Sequence, residues 1–276
     1  MKIKLIGADL DGTLLRDDKS LSPRTAAAVR RFTQMGGVFV LASGRVQSAI
    51  APVAAQLPEA AYQMEAGGAV LRRSSDGAVL YHRPVRKESL RVLARILPEC
   101  GAPYDLFSNG VGQTRRDLYE TVGEWLLRRT GTDLFFRTRR PVDSYAPFFS
   151  GEKPAEKISL FFDDETLRSR ARELLREVPR IVVTSSLPMN LEIMDDEATK
   201  GCALLGLAEL LGIRPEEVAA FGDNDNDRTM IAAAGTGVAM GNGLEDLKAA
   251  ADLVAPSNEN DGVAVVMEGW MEEETC

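Results

Sequence analysis

The sequence contains few of the residues on which several common kinds of active site depend. Its 276 residues include one histidine, His82, and three cysteines, Cys100, Cys202 and Cys276. A lone histidine makes a zinc site or a histidine-based triad hard to build. The cysteines are odd in number and form no C-x-x-C pair, so we expect core fillers or incidental thiols in a reducing cytoplasm. Catalysis, if present, must then rest on carboxylates, lysine, serine or cysteine.

Long hydrophobic runs and excess positive charge are also missing. No apolar run approaches the roughly 18 residues of a membrane span, and the apolar start of the chain is too short for a signal peptide. The formal net charge is -8, which disfavours non-specific binding to nucleic acid or to a membrane surface. With 45% hydrophobic and 27% charged residues, we expect a cytoplasmic globular protein that binds neither.

Strand and helix patterns alternate at both ends of the chain. In the N-terminal third, 4–9 and 38–42 are apolar runs, and 23–35 has apolar residues at helical spacing. The C-terminal third repeats this alternation, with elements predicted at 200–211, 218–221, 227–234, 237–240, 245–250 and 253–255. Unbroken apolar strands suit a parallel sheet buried on both faces. The pattern therefore predicts a Rossmann-like, doubly wound α/β domain.

The middle of the chain differs in charge and in pattern. Residues 83–187 hold 19 basic and 15 acidic side chains, whereas the rest of the chain holds 14 and 26. Strand-like segments at 157–162 and 180–184 flank a predicted helix at 165–178. We interpret this region, 83–187, as an α+β domain inserted into a core made of 1–82 and 188–276. Its arginines form either a solvated surface or a positive lid over an anionic substrate.

A pair of carboxylates follows the first predicted strand. Asp9 and Asp11 stand in the run Asp9-Leu10-Asp11-Gly12-Thr13, where ligands bind in open α/β sheets. One carboxylate can attack phosphorus while the other donates and accepts a proton. Taken alone, the motif also fits a polar loop after a strand.

A denser carboxylate cluster follows the strand 218–221. It comprises Asp223, Asp225 and Asp227, with Asn226 among them. Carboxylates this close favour a cation, and an all-oxygen site suits Mg²⁺. A calcium loop is disfavoured because glycine is missing at its sixth position and glutamate at its twelfth. A capping acidic turn is the other alternative.

A hydroxyl and a lysine complete the set. Ser43, Gly44 and Arg45 follow the strand 38–42 and offer a hydroxyl, a backbone N–H and an oxyanion fork. Lys200 stands at the start of the predicted helix 200–211. Singly, Ser43 also fits a helix N-cap and Lys200 a surface lysine. The order of all four motifs at successive element ends is much more specific than any one of them.

This order resembles the haloacid dehalogenase (HAD) superfamily over nearly the whole chain outside the insert. Asp9-x-Asp11-Gly12-Thr13-Leu14 is similar to its first motif, Ser43 to the second, Lys200 to the third, and Gly222-Asp223-x-x-Asn226-Asp227 to the fourth. An α/β cap inserted between the second and third motifs resembles the Cof-type subgroup. So do the segments at 237–242, 251–254, 257–258 and 261–264.

The resemblance implies a role for each of these residues. Asp9 would be the nucleophile and a Mg²⁺ ligand, and Asp11 the general acid and base that gives the metal its backbone carbonyl. Asp223 would also ligate Mg²⁺, and Asp227 would support it or position Lys200. The phosphate and substrate would be held by Ser43, Gly44, Arg45, Lys200 and Asn226. Lys200 would also be catalytic, together with Asp9 and Asp11, by balancing the charge of Asp9.

The activity implied is a Mg²⁺-dependent phosphatase acting through an aspartyl-phosphate on Asp9. Its substrate would be a small phosphate ester, such as a sugar phosphate or a phosphorylated metabolite or cofactor, and the protein a monomer or small homo-oligomer. A phosphosugar mutase of the same superfamily is an alternative, and a non-hydrolytic phosphoacceptor domain is a further one. Basic cap residues that are candidates for substrate contact are Arg115, Arg116, Arg137 and Arg139.

Three departures from the subgroup's pattern bear on the substrate. Gly67-Gly68-Ala69 stands where the subgroup has Asn-Gly-Ala, which removes a polar side chain. Asp195-Asp196-Glu197 places three acidic residues before Lys200, where they either affect an anionic substrate or are simply solvated. Ser43 replaces the commoner threonine, which we expect to be tolerated because either residue donates a hydroxyl.

Overall fold

The computed structural model describes residues 2–187 and 189–273, so Cys276 and the far end of the expected core domain lie outside the described residues. The strands, in chain order, are β1 (Leu5–Asp9), β2 (Val38–Ala42), β3 (Tyr62–Glu65), β4 (Val70–Arg73), β5 (Val79–His82), β6 (Tyr104–Ser108), β7 (Val111–Arg115), β8 (Arg139–Val142), β9 (Lys157–Phe161), β10 (Ile181–Thr184), β11 (Asn190–Asp195), β12 (Val218–Gly222), β13 (Thr236–Met240) and β14 (Leu253–Ala255). The helices are α1 (Pro23–Gln34), α2 (Gln47–Ala54), α3 (Lys87–Glu99), α4 (Arg116–Thr130), α5 (Leu134–Thr138), α6 (Ala146–Phe149), α7 (Glu165–Leu175), α8 (Lys200–Leu210), α9 (Arg228–Ala233), α10 (Glu245–Ala250) and α11 (Gly262–Glu273).

The chain forms two compact units, and the first consists of the described part of 1–44, 50–82 and 199–276. Its eight-stranded sheet has the order β14-β13-β12-β1-β2-β3-β4-β5. The six strands from β14 to β3 are parallel, and β4 and β5 continue the sheet as an antiparallel hairpin. The predicted parallel α/β core is thereby confirmed.

Both faces of this sheet are buried, as the unbroken apolar strands indicate. Along β1, Ile6 and Ala8 join the cluster formed with α1, α2 and α11, whereas Leu5 joins the cluster formed with α8. Successive residues of a strand point to opposite faces, so each apolar residue of β1 has a helix layer to pack against. Helices on both faces are the doubly wound arrangement.

Local sequence signals set both ends of helix α1. Helix α1 has Ser22 as its N-cap, whose hydroxyl accepts from the N–H of Thr25 at 3.0 Å, and Pro23 in its first turn. Gly36, with φ +91°, follows its C-terminal end.

At the start of β12, Glu217 pairs with Lys4 at 2.7 Å and with Arg214 at 3.2 Å. Hydrogen bonds from these two partners lower the pKa of Glu217 to about 2.

The second unit comprises residues 45–49 and 83–198. Its six-stranded sheet has the order β10-β11-β9-β6-β7-β8 and is antiparallel except for the pair β7–β8. One face packs on α3, α6 and α7 through an apolar cluster. The sequence places the end of the insert at 187, but β11 pairs with β9 and β10, so in the structure this unit continues to Ala198.

Across 2–187 and 189–273, no helix combines the length and hydropathy needed to cross a bilayer.

Candidate active site

The site begins where the central strand β1 ends. Asp9 is the last residue of β1, which lies between β12 and β2, and its side chain is buried. The chain then turns back, because the N–H of Leu14 donates to the carbonyl of Asp9 at 3.1 Å. Gly12 has φ +81°, and a Cβ there would lie 2.5 Å from a carboxylate oxygen of Asp223. Glycine is therefore required at this turn, because any side chain would displace Asp223.

Lys200 is fully buried at the first position of α8. Its Nζ lies 2.5 Å from Oδ1 of Asp9 and 2.6 Å from Oδ1 of Asp227. Burial by itself lowers the pKa of this lysine, but Asp227 and Asp9 outweigh burial and raise it above its ordinary value. The ammonium is thus held charged between two carboxylates, which excludes the surface-lysine alternative.

The loop after β12 supplies the other carboxylates. Asp223 accepts a hydrogen bond from the hydroxyl of Thr13 at 2.9 Å. Oδ2 of Asp227 accepts from the N–H groups of Asp223 and Asn224 at 3.0 and 3.1 Å. Asp227 therefore orients this loop through Oδ2 and contacts Lys200 through Oδ1. Asn226 in the same loop is buried, and its side-chain oxygen has no hydrogen-bond partner in the described part of the chain.

The carboxylates of Asp9, Asp223 and Asp227 are close enough to share a cation. One oxygen from each lies within 4.8 Å of the others, and Lys200 offsets one of the three charges. Burial raises the pKa of Asp9 well above its ordinary value, although Lys200 acts against this. Burial, reinforced by Asp227, raises the pKa of Asp223 to about 7. This excess of buried negative charge fits a hard cation with oxygen ligands.

Within this group, Asp9 and Asp223 are better suited than Asp227 to bind a cation. Both oxygens of Asp227 already accept hydrogen bonds, one from Lys200 and the other from backbone N–H groups. The residues therefore fit a metal held by Asp9 and Asp223, while Asp227 contacts Lys200 and the backbone N–H groups.

The carboxylate of Asp11 is not part of this cluster. It is half-exposed and lies 3.0 Å from Nζ of Lys19. Ser43, by contrast, is buried at the end of β2, and its carbonyl accepts from the N–H of Gly67 at 3.0 Å. Gly44 ends the first segment of the first unit, and Arg45 belongs to the second unit, where its guanidinium donates to the carbonyl of Ala49 at 3.3 Å.

The loop at Gly67 and Gly68 packs closely against the start of α8. Ala66, Gly67 and Gly68 all have positive φ, and Gly68 has φ +107°. A Cβ on Gly68 would lie 2.4 Å from the carbonyl carbon of Thr199 and 2.7 Å from the nitrogen of Lys200. The second glycine of this motif thus allows one backbone to lie directly on another.

The acidic residues before Lys200 are paired with arginines of the second unit. Arg86 lies 3.2 Å from Asp195 and 2.9 Å from Glu197, and Arg180 lies 3.3 Å from Asp196. Asp195 is almost fully buried, which raises its pKa. These residues connect the two ends of the inserted segment electrostatically.

The four basic cap candidates each pair with a carboxylate inside the second unit. The pairs are Arg115–Asp117, Arg116–Asp143, Arg137–Asp133 and Arg139–Asp105. Of the four, only the Arg139 pair is largely buried, at 14% and 0% side-chain exposure. The first three are exposed surface pairs, which is closer to the solvated-surface interpretation.

Two contacts near the site were not anticipated. Thr13 stands in the first motif without an assigned role, yet its hydroxyl binds Asp223. The side-chain amide of Asn242 donates to the carbonyl of Gly12 at 2.8 Å, and its oxygen accepts from the N–H of Asn258 at 3.0 Å. Two signals for Asn242 were available: it ends the segment 237–242 that resembles the subgroup, and it stands just after β13, at the same edge of the parallel sheet as Asp9 and Asp223.

The fold is a doubly wound α/β unit, and its candidate site groups Asp9, Asp223 and Asp227 with Lys200. The family model of the haloacid dehalogenase-like hydrolases matches residues 6–267, and the chain belongs to that family, as the motifs predicted. Phosphatase YwpJ of Bacillus subtilis is 29% identical, with 96% of this chain and 99% of that protein covered. The 5-amino-6-(5-phospho-D-ribitylamino)uracil phosphatase YcsE of the same organism is 27% identical, with 98% and 96% covered.

A solved structure agrees with this assignment. A haloacid dehalogenase-like hydrolase from B. subtilis superposes with a TM-score of 0.85 at 28% identity, covering 96% of this chain and 99% of that one. The relatives are phosphatases by name, and the expectation of a phosphoric monoester hydrolase is confirmed.

Proposed function

We propose that this enzyme is a Mg²⁺-dependent phosphatase of small phosphate esters that transfers the phosphoryl group to Asp9. The observation that carries the proposal is the buried Asp9 carboxylate at the end of β1, with Lys200 at 2.5 Å and Asp223 in the same carboxylate group. The substrate class is a sugar phosphate or another phosphorylated metabolite. The activity named for YcsE, on a phosphorylated ribityl compound, supports that class.

In the first step, an oxygen of Asp9 attacks phosphorus and the bond from phosphorus to the leaving oxygen breaks. Asp11 donates a proton to that oxygen, which leaves as an alcohol. For this, Asp11 exchanges its contact with Lys19 for one with substrate. In the second step, Asp11 takes a proton from water, the water oxygen bonds to phosphorus, and the bond to Asp9 breaks. Phosphate is released and Asp9 is restored.

The remaining residues position the phosphoryl group and offset its negative charge. Ser43, Gly44, Asn226 and Lys200 would hold the phosphoryl oxygens, and Arg45 remains a candidate for substrate contact. Asn226 would do so with the N–H groups of its side-chain amide, because the amide oxygen is an acceptor and cannot bind a phosphoryl oxygen. Mg²⁺ on Asp9, Asp223 and the Asp11 carbonyl would offset the repulsion between a phosphate dianion and the carboxylates. Asp227 would keep Lys200 and the Asp223 loop in place.

The test is phosphate release from a panel of sugar phosphates, nucleotides, pyridoxal phosphate and flavin mononucleotide. The assays compare added Mg²⁺, EDTA, the Asp9→Asn variant, and Asp143→Asn as a control that removes an exposed carboxylate. We expect release that needs Mg²⁺, persists in Asp143→Asn and is lost in Asp9→Asn. A phosphorylated isomer in place of free phosphate would support a mutase, and full activity of Asp9→Asn would refute the nucleophile assignment.

A further inference from the structure

The start of α8, which carries Lys200, is attached to the start of α9 at two separate points. The first is the ion pair between Lys200 Nζ and Asp227 at 2.6 Å. The second is a hydrogen bond from the N–H of Gly201 to the hydroxyl of Thr229 at 3.2 Å. The proposed site uses the first contact and leaves the second without a role.

The Thr229 hydroxyl satisfies a backbone donor that α8 does not satisfy itself. The first N–H groups of a helix have no partner within the helix. The N-cap Thr199 accepts from the N–H of Cys202 at 3.1 Å. The N–H of Gly201, between the lysine and Cys202, is instead bound by a side chain of another helix.

The backbone at Gly201 also packs closely against Thr229. A Cβ on Gly201 would lie 2.3 Å from the carbonyl oxygen of Thr229 and 3.1 Å from its Cβ. The backbone next to Lys200 therefore rests directly on Thr229. Since Thr229 follows Asp227 by two residues, both ends of the lysine, backbone and ammonium, are fixed to one short stretch of chain.

We propose that Thr229 is a positioning residue for Lys200. Its hydroxyl holds the backbone beside Lys200, so that the ammonium meets Asp9 and Asp227 together. A flexible lysine side chain needs both its base and its tip fixed to hold a charge at one point. The inference rests on the proposed function, in which Lys200 contacts the phosphoryl oxygens. Thr229 acts through Lys200 and has no contact with the reacting atoms in this assignment.

Two substitutions test the hydroxyl with little change in volume. Thr229→Val removes the acceptor, and Thr229→Ser keeps it. We expect Thr229→Val to lower kcat about 10-fold, in the range found for supporting residues, with a smaller change in KM. Thr229→Ser should restore kcat to within about 2-fold. Hydrogen exchange of the Gly201 amide should accelerate in the valine variant and stay slow in the serine variant.

Combining each substitution with Lys200→Met shows whether Thr229 acts through the lysine. In that background Thr229→Val should cause little further loss of kcat, because residues that act as a unit are not additive. An additive loss, equal kcat in the valine variant and wild type, or no rescue by serine would overturn the inference. If Lys200→Met leaves no measurable rate or does not fold, serine rescue and Gly201 exchange in the single variants decide. Full activity of Lys200→Met would instead refute the role of Lys200 in the proposed function.

Discussion

Replacing Gly68 by alanine tests whether the loop after β3 fixes the position of Lys200. The new Cβ would lie 2.4 Å from the Thr199 carbonyl carbon, whereas ordinary contact begins at 3.4 Å. The neighbouring atoms are backbone, so no side chain can rotate away. Either the loop or the start of α8 must move by about 1 Å, a displacement that can cost about 100-fold in rate at a catalytic group. We expect kcat/KM to fall by about that factor.

Gly36→Ala is the matched control for backbone strain. Gly36 has φ +91°, near the +107° of Gly68, but a Cβ there would meet nothing within 4 Å. Alanine in left-handed backbone costs about 1–2 kcal/mol, so both variants should be less stable in urea unfolding. Only Gly68→Ala should lose activity, and Gly36→Ala should stay within about 2-fold of wild type.

The assay is steady-state phosphate release with Mg²⁺ at a temperature well below both unfolding transitions. A crystal structure of Gly68→Ala should show a displaced Thr199–Lys200 backbone. If the two variants have equal kcat/KM, the close approach of this loop does not position Lys200, and the reasoning is refuted.

Three further substitutions probe other parts of the molecule. Asp227→Asn should lower kcat by about 10- to 100-fold, because the amide cannot serve both the ammonium and the backbone N–H groups; unchanged kcat would count against its orienting role. Arg86→Gln leaves Asp195 buried without its guanidinium, so the melting temperature should fall because a buried charge without its partner is costly; a melting temperature equal to that of wild type would contradict a stabilising role for this pair. The pKa of Glu217 is lowered to about 2, so its stabilising contribution is complete above about pH 4.3, its unfolded value, and is lost as the pH falls toward 2. Wild type should therefore exceed Glu217→Gln in urea-unfolding stability at pH 6 and approach it near pH 3, and a constant difference would show that ionisation is not the cause.

Much of the first unit was predictable because short local stretches of the sequence indicate its strands and helices. Strands buried on both faces appear as unbroken apolar runs, and β1, β2, β12 and β13 fall where those runs are. In a parallel sheet the carboxyl ends of strands meet at one edge. A carboxylate at the end of β1 and another directly after β12 were therefore expected to lie close together.

The second unit was less predictable, because strand patterns indicate a strand without indicating its partners. Residues 190–195 form β11, and only pairing with β9 and β10 assigns them to the second sheet. For the same reason, the sequence left open whether Asp195, Asp196 and Glu197 are solvated or affect an anionic substrate. Their partners Arg86 and Arg180 are brought to them by folding.

The sequence by itself determined the family, the α/β core and the order of the candidate site residues, because local hydrophobic patterns and short motifs record these. The tertiary structure alone decided that Lys200 is buried between Asp9 and Asp227, since Asp9 lies 191 positions away in the chain. It also decided which glycines permit backbone contact at the start of α8. Ion pairing and close packing depend on which distant elements meet, and that is a property of the folded chain.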